Sequence, residues 1–215
     1  FFIYGTIYAF SVANWHETVH RTAFKTRWIN EFFYHISSFM CDFEGHRWRW
    51  SHTFHHTYTL QTQEDYDHEI QISRPTELFC FFLNYIPFSD LLFPHRLIKY
   101  EIFKHSLGIL TPVVKTSAPK NQKNKIIWNS RLYVFIWLCV FLFSFYIESI
   151  LPIIYIILPT YYGKPIWFAV NVTQHLAAAV DKKDHRLSTY SIKLNPILSF
   201  LYWKMEYHLT HHMFP

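Results

Sequence analysis

The sequence predicts an all-α integral membrane protein whose histidines gather on its cytosolic side as a site for two metals. Three observations point there. Charge-free, aromatic-rich apolar runs recur along the 215 residues, with hydrophobic residues at 51%, aromatics at 21% and only 4 glycines, a balance unusual for a soluble domain. Basic residues collect at the ends of those runs, as in membrane-protein loops. Histidines recur in groups offset by three and four positions, which puts each group on one face of a helix.

The elements follow in order. Residues 1–15 form an uncharged run leading into His16, short of the about 20 residues a whole span needs and read as the second part of one. HETVH supplies His16 and His20, and the basic patch Arg21, Lys25, Arg27 places this first box on the cytosolic side. Residues 28–43 read as an amphipathic helical lead-in, with no Pro or Gly to stop it before Gly45. HRWRWSHTFHHTYT then carries His52, His55 and His56, and QTQEDYDHEI is an acidic polar turn, solvated or beside the site. Residues 78–94 are apolar but interrupted by Asn84, Pro87 and Asp90, which suits an interfacial or re-entrant hairpin. Residues 109–125, with TSAPKNQKNK, read as a cytosolic loop without a hydrophobic face.

Residues 132–147 are uncharged between Arg131 and Glu148; residues 150–172 return, broken at Pro159, Gly163 and Lys164. Together they read as a transmembrane hairpin whose second limb is bent. Two crossings bring the chain back to its starting side, so histidines before and after the hairpin can meet on one cytosolic face. NVTQH then places Asn171 and His175 four apart, DKKDHRLSTYS carries Asp184 and His185, and EYHLTHH carries Glu206, His208, His211 and His212. The chain opens inside an apolar run and stops just after the last box, so residues 1–215 are expected to be one domain truncated at both ends.

Other classes recede. Cys41, Cys80 and Cys139 lie in apolar or aromatic surroundings without C-x-x-C spacing, which indicates neither a disulfide framework nor an iron–sulfur site. The net charge of +5 does not signal nucleic acid, because the placement of Lys and Arg beside apolar runs already explains it. H-E-x-x-H is also the zinc-protease signature, with Glu17 as general base. That reading leaves both later triplets unexplained. Soluble carboxylate di-iron bundles need a second E-x-x-H, and none is found. Nine histidines at helical spacing (His16, His20, His52, His55, His56, His175, His208, His211, His212) exceed one tetrahedral zinc and suit two metals with four or five nitrogens each. Imidazole alone does not choose between iron, zinc and copper. Neutral imidazole ligation also implies metal loss as pH falls through about 6. His35, His95 and His105 lack partners at helical spacing and read as interfacial or hydrogen-bonded.

HETVHRTAF, the two H-x-x-H-H triplets, N-x-x-x-H, and DHRLSTYS leading to NPILSFLYWKMEYHLTHHMFP together resemble the membrane-bound fatty acid desaturase family, which includes hydroxylases and related monooxygenases. The resemblance covers almost the whole chain. It implies membrane helices under a cytosolic cap whose histidines hold two iron ions (Fe2+/Fe3+) beside an acyl tunnel, which residues 78–94 are placed to line. O2 and electrons from an external cytochrome- or ferredoxin-type protein would act on a lipid acyl chain. The nine histidines match the family's ligands, and Asn171 its polar residue facing an iron, directly or through water. Asp65, Asp67, Glu69, Asp184, His185 and Glu206 are candidates to brace the ligand imidazoles. Glu206 stands where the family favours Asn, and His68 where Pro is usual. Desaturation is the expected reaction, with hydroxylation, a zinc membrane hydrolase and an inactive metal-binding scaffold as alternatives. Localisation is a multi-pass membrane, endoplasmic reticulum or bacterial inner membrane.

Overall fold

A computed structural model describes residues 1–61 and 98–215. Among the described residues the secondary structure is entirely helical: α1 (Phe2–Ala9), α2 (Ser11–Val19), α3 (Arg27–Met40), α4 (Gly45–Thr57), α5 (Ile98–Ser106), α6 (Pro112–Ser117), α7 (Lys123–Tyr146), a π-helical segment (Ile153–Ile157), α8 (Pro159–Tyr162), α9 (Lys164–Val172), α10 (His185–Ser188), α11 (Pro196–Leu201) and α12 (His208–Met213). The acidic turn with Asp65, Asp67, His68 and Glu69, the apolar stretch 78–94, Cys80 and His95 lie outside the described residues.

Helix α2 is the hub. Its Val12, Trp15 and Val19 pack with Tyr34, Cys41 and Phe43, while the adjoining Phe10 and Ala13 pack with Val170, Tyr202 and Met205. The two cores grip it from both sides and leave His16 between them. The α3–α4 elbow is made without Pro or Gly at the stop: α3 ends at Met40, Asp42 takes a left-handed conformation (φ 60°), and Glu44 caps α4 by accepting from the backbone N–H of His46 (3.1 Å) and Arg47 (2.6 Å). Capping satisfies N–H groups that a helix start otherwise orphans. The same carboxylate accepts from Asn129 of α7. Arg47, itself buried, pairs with Glu101 of α5 at 2.9 Å and donates to Ser51 at 2.9 Å. Helix α4 is thereby fixed to two neighbours, α5 and α7.

Only α7 with its leading turn, residues 120–146, is long and apolar enough among the described helices to cross a membrane, and just 22% of its apolar window is buried within the molecule. Leu132, Phe135, Leu138, Phe141, Leu142, Phe143 and Phe145 are all exposed. That is opposite to the core helix of a soluble domain. The returning limb is broken as the prolines and Gly163 lead one to expect, into the π segment, α8 and α9. Pro159 has no N–H for the carbonyl of Tyr155, and Tyr4 of α1 supplies the missing donor at 2.8 Å; Tyr8 donates to the Ile156 carbonyl (3.2 Å) and Tyr162 to that of Ile154 (3.0 Å). Three hydroxyls thus satisfy irregular backbone that would be costly in an apolar setting.

One expectation is corrected. Residues 109–125 are not a loop without an apolar face: α6 and a short 3-10 turn fold there, and Val114, Ala118 and Ile126 form a small core against Trp50 and Leu110. Pro112 at the first position of α6 suits a helix start.

Candidate metal centre

The four histidine-bearing stretches reach one place by different local means. His16 sits in α2 and His20 at its C-terminal end, both on the face left open by the two cores. His52, His55 and His56 project from α4, braced by Trp15, whose ring lies 5.2 Å from that of His52. His175 follows α9, where Thr173 to His175 turn out of the helix. A left-handed Trp203–Lys204 pair and a 3-10 turn then set α12, which carries His208, His211 and His212.

Eight of these imidazoles fall into two groups whose nitrogens lie within 4.8 Å of one another: His16, His52, His56 and His211, and His55, His175, His208 and His212. His20 joins the first, its ring 4.6 Å from His56 and 4.8 Å from His211. Among the described residues no carboxylate belongs to either group. The Nε2 atoms meet almost head to head: His52 to His56 at 3.0 Å and His56 to His211 at 3.1 Å in one group, His175 to His208 at 3.0 Å and His208 to His212 at 3.2 Å in the other. Lone-pair nitrogens converging in this way, with Nε2 of His16 and of His20 buried without hydrogen-bond partners, are what an all-imidazole cation site requires. Four or five nitrogens per group fit a transition metal such as iron or zinc.

Burial sets the electrostatics. It lowers the pKa of His16, His52, His56, His208 and His212, with neighbouring imidazoles adding to the effect. His20 is lowered to about 4 by burial, then Arg49 and His55, and His211 to about 3 by burial, then His20 and His55. The rings whose pKa is lowered are neutral at neutral pH, the form in which imidazole ligates a metal. Burial also pushes the carboxyl of Glu17 up to about 7.

The outer ring nitrogens of His175 and His212 have partners that the sequence did not single out. His175 Nδ1–H donates to the Ser188 carbonyl at 2.9 Å, fixing the tautomer that leaves Nε2 toward His208. Thr59, held by donation to the His55 carbonyl at 2.6 Å, lies 3.3 Å from His212 Nδ1. Gln174, fully buried, donates to the Met205 carbonyl at 2.7 Å and accepts from Tyr202 at 3.0 Å, tying the His175 turn to the third box. Glu17 lies 3.5 Å from His16 Nδ1 and 3.6 Å from His211 Nδ1. The T-x-T spacing after the second triplet and the Gln before His175 are the only signals, and neither is specific.

The expected bracing residues divide. His185 lies with its ring 5.3 Å from His212. Glu206 is buried and accepts from Ser199. Asp184 instead spends its carboxylate on Arg186, Oδ2 at 2.6 Å from the guanidinium and Oδ1 at 3.0 Å from the backbone N–H, so it caps α10. Asn171 Oδ1 lies 3.4 Å from the Tyr202 hydroxyl. His105 is buried with Nε2 3.0 Å from Thr111 Oγ1, apart from the cluster, and His35 sits 3.6 Å from Glu31.

A family model described as fatty acid desaturase matches residues 1–215, the whole chain. No curated protein and no solved structure matches it.

Proposed function

The chain belongs to the fatty acid desaturase family, and from that premise we propose that it is a membrane-embedded, oxygen-dependent di-iron oxidoreductase that introduces a double bond into a lipid acyl chain. The supporting observation is the convergence of nine imidazoles into two nitrogen-only groups. Two irons held there would supply oxygen activation at an unactivated C–H bond. A –CH2–CH2– unit gives up two electrons and two protons to become –CH=CH–; two further electrons from a small cytochrome- or ferredoxin-type protein, with two protons, complete the reduction of one O2 to two waters.

The chain's own residues hold and orient. His16, His20, His52, His56 and His211 would hold one ion, and His55, His175, His208 and His212 the other. The Ser188 carbonyl and Thr59 hydroxyl set ring orientation, and Trp15, Phe43 and Trp48 wall the α4 side against water. Asn171 is placed on the last turn of α9, available to an iron through water. Residues 120–146 are read as the outgoing limb of a membrane hairpin whose return is the π segment with α8 and α9, so that the histidines share the cytosolic side.

The test is mass spectrometry of total acyl lipids from cells expressing the full-length protein, beside a His55→Ala, His56→Ala control. A species two hydrogens lighter, absent from the control, is expected. A species heavier by one oxygen would move the protein to the hydroxylases on the same metal centre, and no product with donor and expression verified would sink the lipid-oxidation reading.

A further inference from the structure

We propose that Glu17 is a positioning residue for the metal centre, its carboxylate fixing His16 of the first box and His211 of the third as ligands of one ion. The inference rests on the two-metal reading above. A single oxygen, Oε1, lies beside a nitrogen of each ring, 3.5 Å from His16 Nδ1 and 3.6 Å from His211 Nδ1, just beyond hydrogen-bond length. His211 turns its other nitrogen inward, Nε2 lying 3.1 Å from His56 Nε2, so the carboxylate stands on the ring edge away from the cluster. A ring nitrogen that faces an anion carries the proton, and the opposite nitrogen is then the lone-pair donor. Both rings receive the same tautomer from one group.

The two rings lie 4.1 Å apart between centroids, although they come from α2 near the start of the chain and α12 near its end. Their edges must be held together for the ion to see both lone pairs at once. Glu17 does this from the solvent side: its side chain is 30% exposed, while that of His16 is 6% exposed. The glutamate of HETVH therefore has a role here distinct from activating a water on a zinc. Its oxygen addresses two imidazole edges contributed by separate helices.

The experiment uses the full-length protein in detergent, stripped of metal and titrated anaerobically with Co2+ alone against a competing chelator, reading the cobalt absorption bands. Wild type is expected to bind two ions. Glu17→Gln should weaken one of the two by about tenfold to a hundredfold and leave the other unchanged, and Glu17→Asp should recover part of the loss. Unchanged affinities at both ions in Glu17→Gln would overturn the inference while the two-metal reading stands. Equal weakening at both ions with a lowered unfolding midpoint would also overturn it, since that is the mark of a packing role. A wild-type protein that binds no cobalt would sink the two-metal reading and this inference with it.

Discussion

His105 shows at the scale of one residue how burial turns a histidine into a pH liability without making it a ligand. It is fully buried in α5, its Nε2 accepts from the Thr111 backbone N–H at 3.3 Å, and burial lowers its pKa to about 4, with Glu101 opposing and Arg47 adding to the shift. In the unfolded chain the same ring titrates near about 6.5. Between those values the unfolded state binds a proton that the folded state does not, so the contribution is whole above about pH 6.5 and shrinks as pH falls toward 4. The loss is about 1.4 kcal/mol per pH unit at most. His105→Gln, whose amide can still accept from Thr111, should therefore lose less of its thermal midpoint than wild type between pH 7.5 and pH 5. Identical losses would remove His105 from the acid response. The nine clustered histidines were legible because their spacing is a direct property of helices. The roles of Thr59 and Gln174 were not, because His212, and Tyr202 with Met205, are brought to them by a distant part of the chain.

Among elements, the contact between α1 and the returning limb is the most exacting. A Cβ on Gly163 would stand 1.9 Å from the Gly5 carbonyl oxygen and 2.3 Å from its carbon, both backbone, whereas a Cβ on Gly5 would meet the Tyr162 ring at 2.3 Å. Backbone cannot rotate away, so Gly163→Ala should force α1 off the limb and cost at least the about 1–3 kcal/mol typical of overpacking. Gly5→Ala should cost less, since Tyr162 can move, although it then gives up its bond to the Ile154 carbonyl. Thermal unfolding in detergent orders the two variants; a wild-type midpoint for Gly163→Ala would mean that α1 does not dock there. The break in this limb could be read from Pro159 and Gly163. Its π-helical form and the three tyrosine hydroxyls that complete it could not, since Tyr4 and Tyr8 lie in another helix. Residues 109–125 were misread for the same reason: Val114 and Ala118, one helical turn apart, are too few to mark an apolar face by themselves, and their apolar partner Trp50 comes from α4.

For the whole molecule, the arrangement of histidines constrains how the chain crosses a membrane. His16, His52 and His56 precede α7, and His175, His208 and His212 follow the returning limb, yet all stand in one cluster. In a membrane, an even number of crossings between the two sets would be needed to keep them on one side, and α7 with its broken return would supply two of them. The exposed apolar side chains along α7 then face lipid, and the turn at Glu148, exposed and left-handed at φ 52°, becomes the far end of the hairpin. Lys182, exposed in the segment between His175 and α10, belongs to the histidine side. In a background with the three native cysteines replaced by serine, Glu148→Cys and Lys182→Cys should react with a membrane-impermeant maleimide from opposite faces of sealed vesicles. Labelling of both from the same face would show that the hairpin does not cross, and α7 would have to lie in the interface with its apolar face down. Because the metal cluster itself would survive that result, the outcome separates the topology from the chemistry.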